Sequence, residues 1–305
     1  MALTVLDATL DSLAGYWRGF WPGSDVAGAA VDARTRLAAA IDAWHLSDVA
    51  PLRGGYVSLV CTATRASRSV VVKLKPRIAG GEALANEGRA LDFWQSTGAV
   101  VDLLGRRDDN LTLLMDRLRP GSTLEAADLP TETMLAALGD LARRLHVAGP
   151  PPAGFETLRD SNSACQWRDA LAVHPALLDE LDALLAPSGE DRLIHGDLHA
   201  RNALRHGDAW LAIDPHAPVA DRHAEISPLL EASLALPDHQ QDAVALAQGW
   251  VAVYARHAGM NPDRVRGWTR VRARAGGLET AQRNDHSRGD HRWAAALHLL
   301  ADALT

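Results

Sequence analysis

The pattern of apolar residues changes along this chain, and that change restricts the fold more than any other sequence feature. Residues 54–76 and 99–118 have the β-branched, apolar composition of strands, and one helical pattern lies between them at 81–97. Beyond residue 118 the pattern is mostly helical, with one strand-like block at 191–214. These patterns predict an α+β protein with a small β-rich lobe and a larger, mostly helical lobe.

The breaking pair Pro120-Gly121 marks the change between the two patterns. We therefore expect an N-lobe over residues 1–118, in which a helical segment at 1–48 precedes the sheet and its one helix. The helical C-lobe is expected over residues 119–305. A chain of 305 residues has the length of about two domains.

Composition excludes several classes of protein. Lys and Arg number 31 against 38 Asp and Glu, and the resulting net charge of −7 argues against a nucleic-acid partner. That charge suits a small cationic partner, although it also serves solubility. No apolar run approaches the roughly 20 residues of a membrane span. The first residues carry Asp7 and Asp11 without a basic region, so we expect no signal peptide and a cytoplasmic protein.

Lysine is rare in this chain. Lys73 and Lys75 are its only lysines, so a site that depends on lysine has two candidates. Both lie on one face of the strand pattern at 69–75, because side chains alternate between faces along a strand. Either could be the functional residue, and the alternative for both is a solvated surface position.

An acidic residue falls within the apolar face of the helix pattern at 81–97. Leu84, Leu91 and Trp94 share one face, and Glu87 lies on it. A carboxylate there is costly to bury without a cationic partner, which indicates a site. The earlier Glu82 is the competing candidate, with a first-turn charge next to the helix dipole as its alternative role.

The strand-like block at 191–214 contains the most informative motif. His195, Asp197 and Asn202 form the pattern HxDxxxxN, and Asp214 follows an apolar strand. This spacing is that of a kinase catalytic loop and metal-binding aspartate. Phosphoryl transfer requires a positioned hydroxyl acceptor and neutralised phosphate charge, and carboxylate and amide oxygens suit Mg²⁺.

A zinc or binuclear metal hydrolase is the alternative interpretation of His195, Asp197 and His199. The chain shows no second histidine-rich ligand set at a suitable place, which disfavours it. In the remaining alternative, both histidines are structural residues of a loop.

The sequence resembles the aminoglycoside phosphotransferase family, and within it the streptomycin 6-kinase (aminoglycoside/hydroxyurea resistance kinase) branch. The resemblance covers about residues 50–235. It rests on segments in kinase order: LRGGYVSLV, SVVVKLKP, ANEGRALDFWQSTGAV, LTLLMDRLRPGSTL, LIHGDLHARNAL and WLAIDP. The form HGDLHxxN is typical of this group, whereas protein kinases carry HRD. The resemblance implies a two-lobed, protein-kinase-like fold.

For the nucleotide, the resemblance implies that Lys73 binds the α- and β-phosphates of ATP and that Glu87 pairs with Lys73. Gly54 and Gly55 would belong to the loop that covers the phosphates. The segment Met115 to Leu118, which includes Asp116, would form the hinge whose backbone contacts adenine.

For the transfer step, the resemblance implies that Asp197 is the catalytic aspartate and that Asn202 and Asp214 hold Mg²⁺. An aspartate with an ordinary pKa is a weak base, so positioning of the acceptor hydroxyl dominates.

The sequence departs from the family after Asp214. Pro215 stands in the position of the phenylalanine of the protein-kinase DFG motif, as is normal in this group, and Asp221 matches a family aspartate, but the segment 222–224 does not match. The acceptor is expected to be a small, cationic, hydroxyl-bearing molecule. Five acidic residues are candidates for binding its amino or guanidino groups: Asp221, Glu225, Glu279, Asp285 and Asp290.

The resulting hypothesis is an ATP-dependent kinase that phosphorylates a hydroxyl of an aminoglycoside, with a streptomycin-like molecule as the favoured acceptor. One alternative is a metabolic kinase for a sugar, amino sugar or amino alcohol. A catalytically silent nucleotide-binding protein is disfavoured because the lysine, glutamate, two aspartates and asparagine of the motif are all present.

Overall fold

The structure is a computed structural model that describes residues 2–52, 56–79, 81–146, 149–237, 239–282 and 288–305. The helices of these residues are α1 (Ala2–Phe20), α2 (Val26–Trp44), α3 (Asn86–Trp94), α4 (Thr131–Leu145), α5 (Asn162–Leu171), α6 (Pro175–Leu185), α7 (Ser227–Ala232), α8 (Gln240–Ala258), α9 (Pro262–Gln282) and α10 (Arg288–Ala303). The strands are β1 (Leu46–Pro51), β2 (Leu59–Arg65), β3 (Arg68–Leu74), β4 (Leu103–Arg107), β5 (Thr112–Asp116), β6 (Pro120–Thr123), β7 (Asp191–Leu193), β8 (Ala203–His206), β9 (Ala209–Ala212) and β10 (Val219–Asp221).

Contacts within the chain divide it into two units. The first comprises Met1–Gln95 and Val100–Gly121, and the second comprises Ser96–Ala99 and Ser122–Thr305. None of the helices among the described residues is both long and apolar enough to cross a membrane.

The first unit is built on a five-stranded antiparallel sheet in the order β1-β2-β3-β5-β4. Trp17 of α1 and Leu37 of α2 pack with Val70 and Val72 of β3 in one buried core, so the two helices cover one face of the sheet. Because side chains alternate along a strand, the odd-numbered Lys73 lies on the opposite face.

The sequence predicted helix through residue 48, and this boundary is wrong. Helix α2 ends at Trp44, and His45 adopts a left-handed conformation with φ of 51° that closes the helix. The chain then forms β1, which pairs antiparallel with β2. The conformation of this segment is decided by its pairing with β2, a strand later in the chain. The local helical pattern of the sequence contains no information about that pairing.

The predicted helix at 81–97 is present in a shorter form. Only α3 is α-helical, and it is flanked by 3₁₀ turns at Glu82–Ala85 and Gln95–Thr97. Gly88 allows the first turn of α3 to approach β5 closely, since a Cβ atom there would lie 2.7 Å from Leu113 Cδ2. This approach brings the neighbouring Glu87 against the sheet.

A buried arginine joins α2 to the sheet. Arg36 is 5% exposed and pairs with Asp32 at 2.7 Å. Its guanidinium also donates to the carbonyl oxygen of Lys75 at 2.7 Å and to Thr112 Oγ1 at 2.9 Å. The ends of β3 and β5 are therefore held together by one side chain.

We expect Arg36→Met to lower the free energy of unfolding by about 3 kcal/mol, because it leaves buried acceptors unsatisfied and Asp32 without its cation. Urea unfolding at neutral pH measures the loss. Arg34→Met is the matched control: Arg34 pairs with Asp7 on the surface, and its loss should cost less than about 1 kcal/mol. Equal losses for the two variants would contradict the role assigned to Arg36.

The second unit consists mainly of helices, in which α4 packs with α8 and α9 packs with α10 and α5. Tyr254 and Trp268 are among its fully buried side chains. The strand-like block predicted at 191–214 is confirmed as β7 followed by the β8–β9 hairpin. Strand β6 extends the hairpin, and β10 pairs with β7, as two small sheets.

Candidate active site

In the first unit, Glu87 forms ion pairs with both lysines of the chain. Lys73 Nζ lies 2.9 Å from Glu87 Oε2, and Lys75 Nζ lies 2.7 Å from the same oxygen. Glu87 is 1% exposed and both lysines are also buried. The expected Lys73–Glu87 ion pair is therefore present. Lys75 is also buried and forms an ion pair with the same carboxylate, so the surface alternative is wrong for both lysines. The side chain of Glu82 is not among those that the structure describes.

The structure describes some, but not all, of the other residues that are expected to bind the nucleotide. Gly54 and Gly55 lie outside the described residues. Met115 and Leu118 are buried. Asp116 already has partners within the sheet: its N–H donates to Asp102 O at 2.9 Å, and its carboxylate accepts from Arg68 Nε at 2.9 Å.

In the second unit, His195 organises the loop that carries the motif. Its Nδ1 accepts the N–H of Asp197 at 3.3 Å, so its proton is on Nε2, which donates to the carbonyl oxygen of Ile213 at 3.0 Å. Burial lowers the pKa of His195 to about 4, which keeps the ring neutral. The loop is thereby tied to the strand end that precedes Asp214.

A glycine sharpens the turn of this loop. Gly196 has φ of +79°, and a Cβ atom there would lie 2.7 Å from Pro218 Cδ. Both the left-handed backbone and the close approach require glycine. The turn directs the next residue, Asp197, out of the core, where it remains half-exposed.

Glu225 binds the backbone of the same loop from the protein interior. Sequence reasoning missed this role. The Glu225 carboxylate accepts the N–H of His195 at 2.6 Å and that of Gly196 at 3.1 Å. Glu225 is 0% exposed. Burial raises its pKa to about 7, against the opposing effect of backbone N–H groups that include those of Gly196, His195 and Leu198. An acidic residue inside the apolar segment AEISPLL was the available signal.

Histidines and an asparagine surround the Asp197 carboxylate. His199 Nε2 and His216 Nε2 lie 3.5 and 3.9 Å from Asp197 Oδ2, and Asn202 Nδ2 donates to that oxygen at 3.2 Å. Burial by itself raises the pKa of Asp197, but the neighbouring histidines outweigh it, so the net pKa is lowered. The carboxylate is ionised at neutral pH, poised to accept a hydrogen bond from a hydroxyl.

The hairpin register brings Asn202 and Asp214 to one end of the same pair of strands. Ala203 pairs with Ala212, and the N–H of Ile213 donates to Asn202 O at 3.0 Å. Asp214 is half-buried and has φ of 59°. Because Asn202 Nδ2 donates to Asp197, its Oδ1 is the atom left to meet a cation.

These oxygen atoms fit a magnesium ion that is bound partly by the protein and partly by the phosphates of a nucleotide. One amide oxygen and one carboxylate are hard oxygen ligands, and phosphates and water complete such a shell. Among the residues that the structure describes, no group of three or more His, Cys, Asp or Glu side chains is arranged to hold a metal ion. Both ring nitrogens of His195 are engaged in hydrogen bonds, which leaves the zinc-hydrolase alternative without that ligand.

The segment after Asp214 forms a closed polar cluster. Asp221 is 4% exposed; it accepts from His223 Nδ1 at 2.6 Å and from Trp268 Nε1 at 3.0 Å, and it pairs with Arg264. Burial alone raises its pKa, but the His223 and Trp268 hydrogen bonds outweigh burial and bring the pKa to about 2. All of its oxygens are used inside the protein.

Two of the five acidic residues proposed for a cationic acceptor are therefore wrong. Asp221 and Glu225 are buried and spend their oxygens on internal hydrogen bonds, because each serves a structural contact. Glu279 is half-buried, whereas Asp285 and the side chain of Asp290 lie outside the described residues.

Solved structures share this fold. Choline kinase LicA from Streptococcus pneumoniae superposes with a TM-score of 0.58 at 14% identity, over 88% of this chain and 98% of that protein. A thermostable mutant of aminoglycoside phosphotransferase APH(4)-Ia, solved with ADP and hygromycin B, gives 0.57 at 18% identity, over 86% and 96%. The expected α+β, protein-kinase-like fold class is confirmed.

Sequence comparison identifies the family. The chain is 29% identical over 250 residues to streptomycin 6-kinase of Streptomyces griseus, which covers 77% of this chain and 79% of that enzyme. Residues 43–285 match the family described as aminoglycoside/hydroxyurea antibiotic resistance kinase. That match spans most of the chain and includes Lys73, Lys75, Glu87 and the loop at 195–202, so this chain belongs to the aminoglycoside/hydroxyurea antibiotic resistance kinase family.

Proposed function

We propose that this enzyme transfers the γ-phosphoryl group of ATP to a hydroxyl of streptomycin or a closely similar aminoglycoside. The family makes it an ATP-dependent kinase with an alcohol group as acceptor. The observation that carries the proposal is the loop at 195–202, whose aspartate is half-exposed and ionised while its backbone is fixed by buried groups. The relatives named streptomycin 6-kinase support the acceptor.

On this proposal, Asp197 positions the acceptor. Its ionised carboxylate accepts a hydrogen bond from the attacking hydroxyl and orients the oxygen for in-line attack. Asn202 holds Asp197 through Nδ2, at 3.2 Å from its carboxylate and 2.9 Å from its carbonyl oxygen. Proton transfer to Asp197 accompanies formation of the new oxygen–phosphorus bond, and ADP leaves.

On the same proposal, charged and polar groups would bind the phosphates. Lys73 would contact the α- and β-phosphates, and Asn202 Oδ1 and the Asp214 carboxylate would hold Mg²⁺. When bound, the ion neutralises phosphate charge as the transition state forms. Since the amide and carboxylate of Asp116 are engaged within the sheet, we assign the adenine contact to the backbone that follows, at Leu118.

The acceptor is tested by incubating the enzyme with ATP and Mg²⁺ and a panel of streptomycin, other aminoglycosides, amino sugars and choline. Mass spectrometry should show the gain of one phosphoryl group on streptomycin, and no product with Asp197→Ala. Product on choline or amino sugars alone would contradict the aminoglycoside acceptor while leaving the kinase chemistry intact. Absence of ATP consumption with every acceptor would overturn the proposed function itself.

A further inference from the structure

The carboxylate of Glu87 is shared by two buried ammonium groups. Lys73 Nζ lies 3.0 Å from Oε1 and 2.9 Å from Oε2. Lys75 Nζ is nearer still, at 2.7 Å from Oε2. A lysine–glutamate pair alone explains Lys73 and Glu87, but it does not explain why a second lysine is buried against the same acid.

Nucleotide binding would leave the buried Glu87 carboxylate without Lys73 as its partner, and Lys75 can take that place. On the function proposed above, phosphate oxygens compete with Glu87 for the ammonium of Lys73. Glu87 is 1% exposed, so a carboxylate that lost its cation would have no water to replace it. A buried carboxylate without a partner is strongly unfavourable, and that cost would weaken nucleotide binding.

We propose that Lys75 is a positioning residue for nucleotide binding: it holds the Glu87 carboxylate so that Lys73 can direct its ammonium to the phosphates. The inference rests on the proposed function, since it assumes that Lys73 binds a nucleotide phosphate. It assigns Lys75 no contact with the nucleotide.

The backbone of Lys75 is placed for this task. Its N–H donates to Leu111 O at 2.8 Å, and its carbonyl oxygen accepts from Arg36 Nη2 at 2.7 Å. Lys75 follows the last residue of β3 by one position and shares a face with Lys73. Arg36 and Leu111 therefore fix the backbone from which the Lys75 side chain extends.

Binding of ATP with Mg²⁺ in the absence of any acceptor tests the inference, by isothermal titration calorimetry on the full chain. We expect Lys75→Met to raise the Kd for ATP by about 10- to 30-fold. In turnover, KM for ATP should rise similarly, while kcat at saturating ATP stays within about threefold. Lys75→Arg should keep the Kd within about threefold of wild type because it restores the cation.

The decisive comparison uses Glu87→Gln as the background. A neutral amide needs no cation, so adding Lys75→Met to Glu87→Gln should change the Kd for ATP less than about twofold. A loss as large as in the wild-type background would show that Lys75 acts on the nucleotide directly, and would overturn the inference.

Two further results would also be decisive. An unchanged Kd for Lys75→Met overturns the role of Lys75 and leaves the proposed function standing, whereas wild-type protein that binds no ATP overturns the proposed function as well.

If Lys75→Met fails to fold, as thermal unfolding would reveal, Lys75→Gln replaces it with a polar side chain of similar length. The same Kd criteria then apply to that variant.

Discussion

Asp197→Asn is expected to lower kcat for phosphoryl transfer by about 10³- to 10⁴-fold, with KM for ATP changed less than about threefold. The substitution keeps the shape of the side chain and removes its charge. An amide cannot take up the acceptor proton. An amide nitrogen in the place of a carboxylate oxygen also cannot accept the hydrogen bond that orients the hydroxyl. Steady-state kinetics with streptomycin at saturating ATP measures the loss.

The fold should survive this change because the loop is held by other residues. Glu225 accepts the backbone N–H groups of His195 and Gly196, and His195 Nε2 donates to Ile213 O. Asn202 Nδ2 also keeps its bond to the carbonyl oxygen of residue 197. A lost kcat with an unchanged unfolding midpoint is therefore the expected combination.

Asp208→Asn is the matched control, because Asp208 lies fully exposed in the turn of the same hairpin and pairs only loosely with Arg205. It should leave kcat within about twofold of wild type. Retention of more than a tenth of wild-type kcat by Asp197→Asn would mean that this carboxylate is not the catalytic group.

Glu225→Ala is expected to lower the free energy of unfolding by about 3 to 5 kcal/mol. The change orphans the buried N–H groups of His195 and Gly196 and leaves space where the carboxylate was. Urea unfolding gives the magnitude. Glu125→Ala serves as the control, since its exposed carboxylate pairs with Arg201 on the surface; a similar loss there would contradict the role of Glu225.

Glu225→Gln should reveal the titration of this buried group. Glutamate ionises near 4.5 when unfolded, whereas burial raises the pKa of Glu225 to about 7. Between these values the folded protein binds more protons, so wild-type stability is present at low pH and is lost as pH rises. Relative to Glu225→Gln, wild type should lose roughly 2 to 3 kcal/mol between pH 5 and pH 8. A pH-independent difference would contradict the raised pKa.

The candidate site was accessible to sequence reasoning where its parts are close in the chain. His195, Asp197, Asn202 and Asp214 occupy one short block, and the β8–β9 hairpin within it sets their neighbourhood by local pairing. Glu87 was detectable because an acid on an apolar helix face conflicts with burial unless it meets a cation. In these cases the residue types and their spacing already contain the physical reason.

Sequence reasoning failed where distant contacts decide. It placed Asp221 and Glu225 among candidates for binding the acceptor, because an acidic side chain has the same sequence signature at the surface and in the core. Their partners, such as Trp268 and the N–H of His195, are dozens of residues away. Likewise, β1 is a strand only because β2 pairs with it.

The sequence by itself determined the α+β class, the spacing of the kinase-like motif and the need of Glu87 for a cationic partner, because periodicity, loop spacing and the cost of an unpaired buried charge are local or near-local properties. The resemblance to the family supplied Lys73 as that partner. Only the tertiary structure decided that Lys75 shares the Glu87 carboxylate with Lys73, that Arg36 joins α2 to the ends of β3 and β5, and that Glu225 binds the backbone of the loop at 195–202. These depend on which polar groups burial removes from water together, and burial is a property of the folded chain.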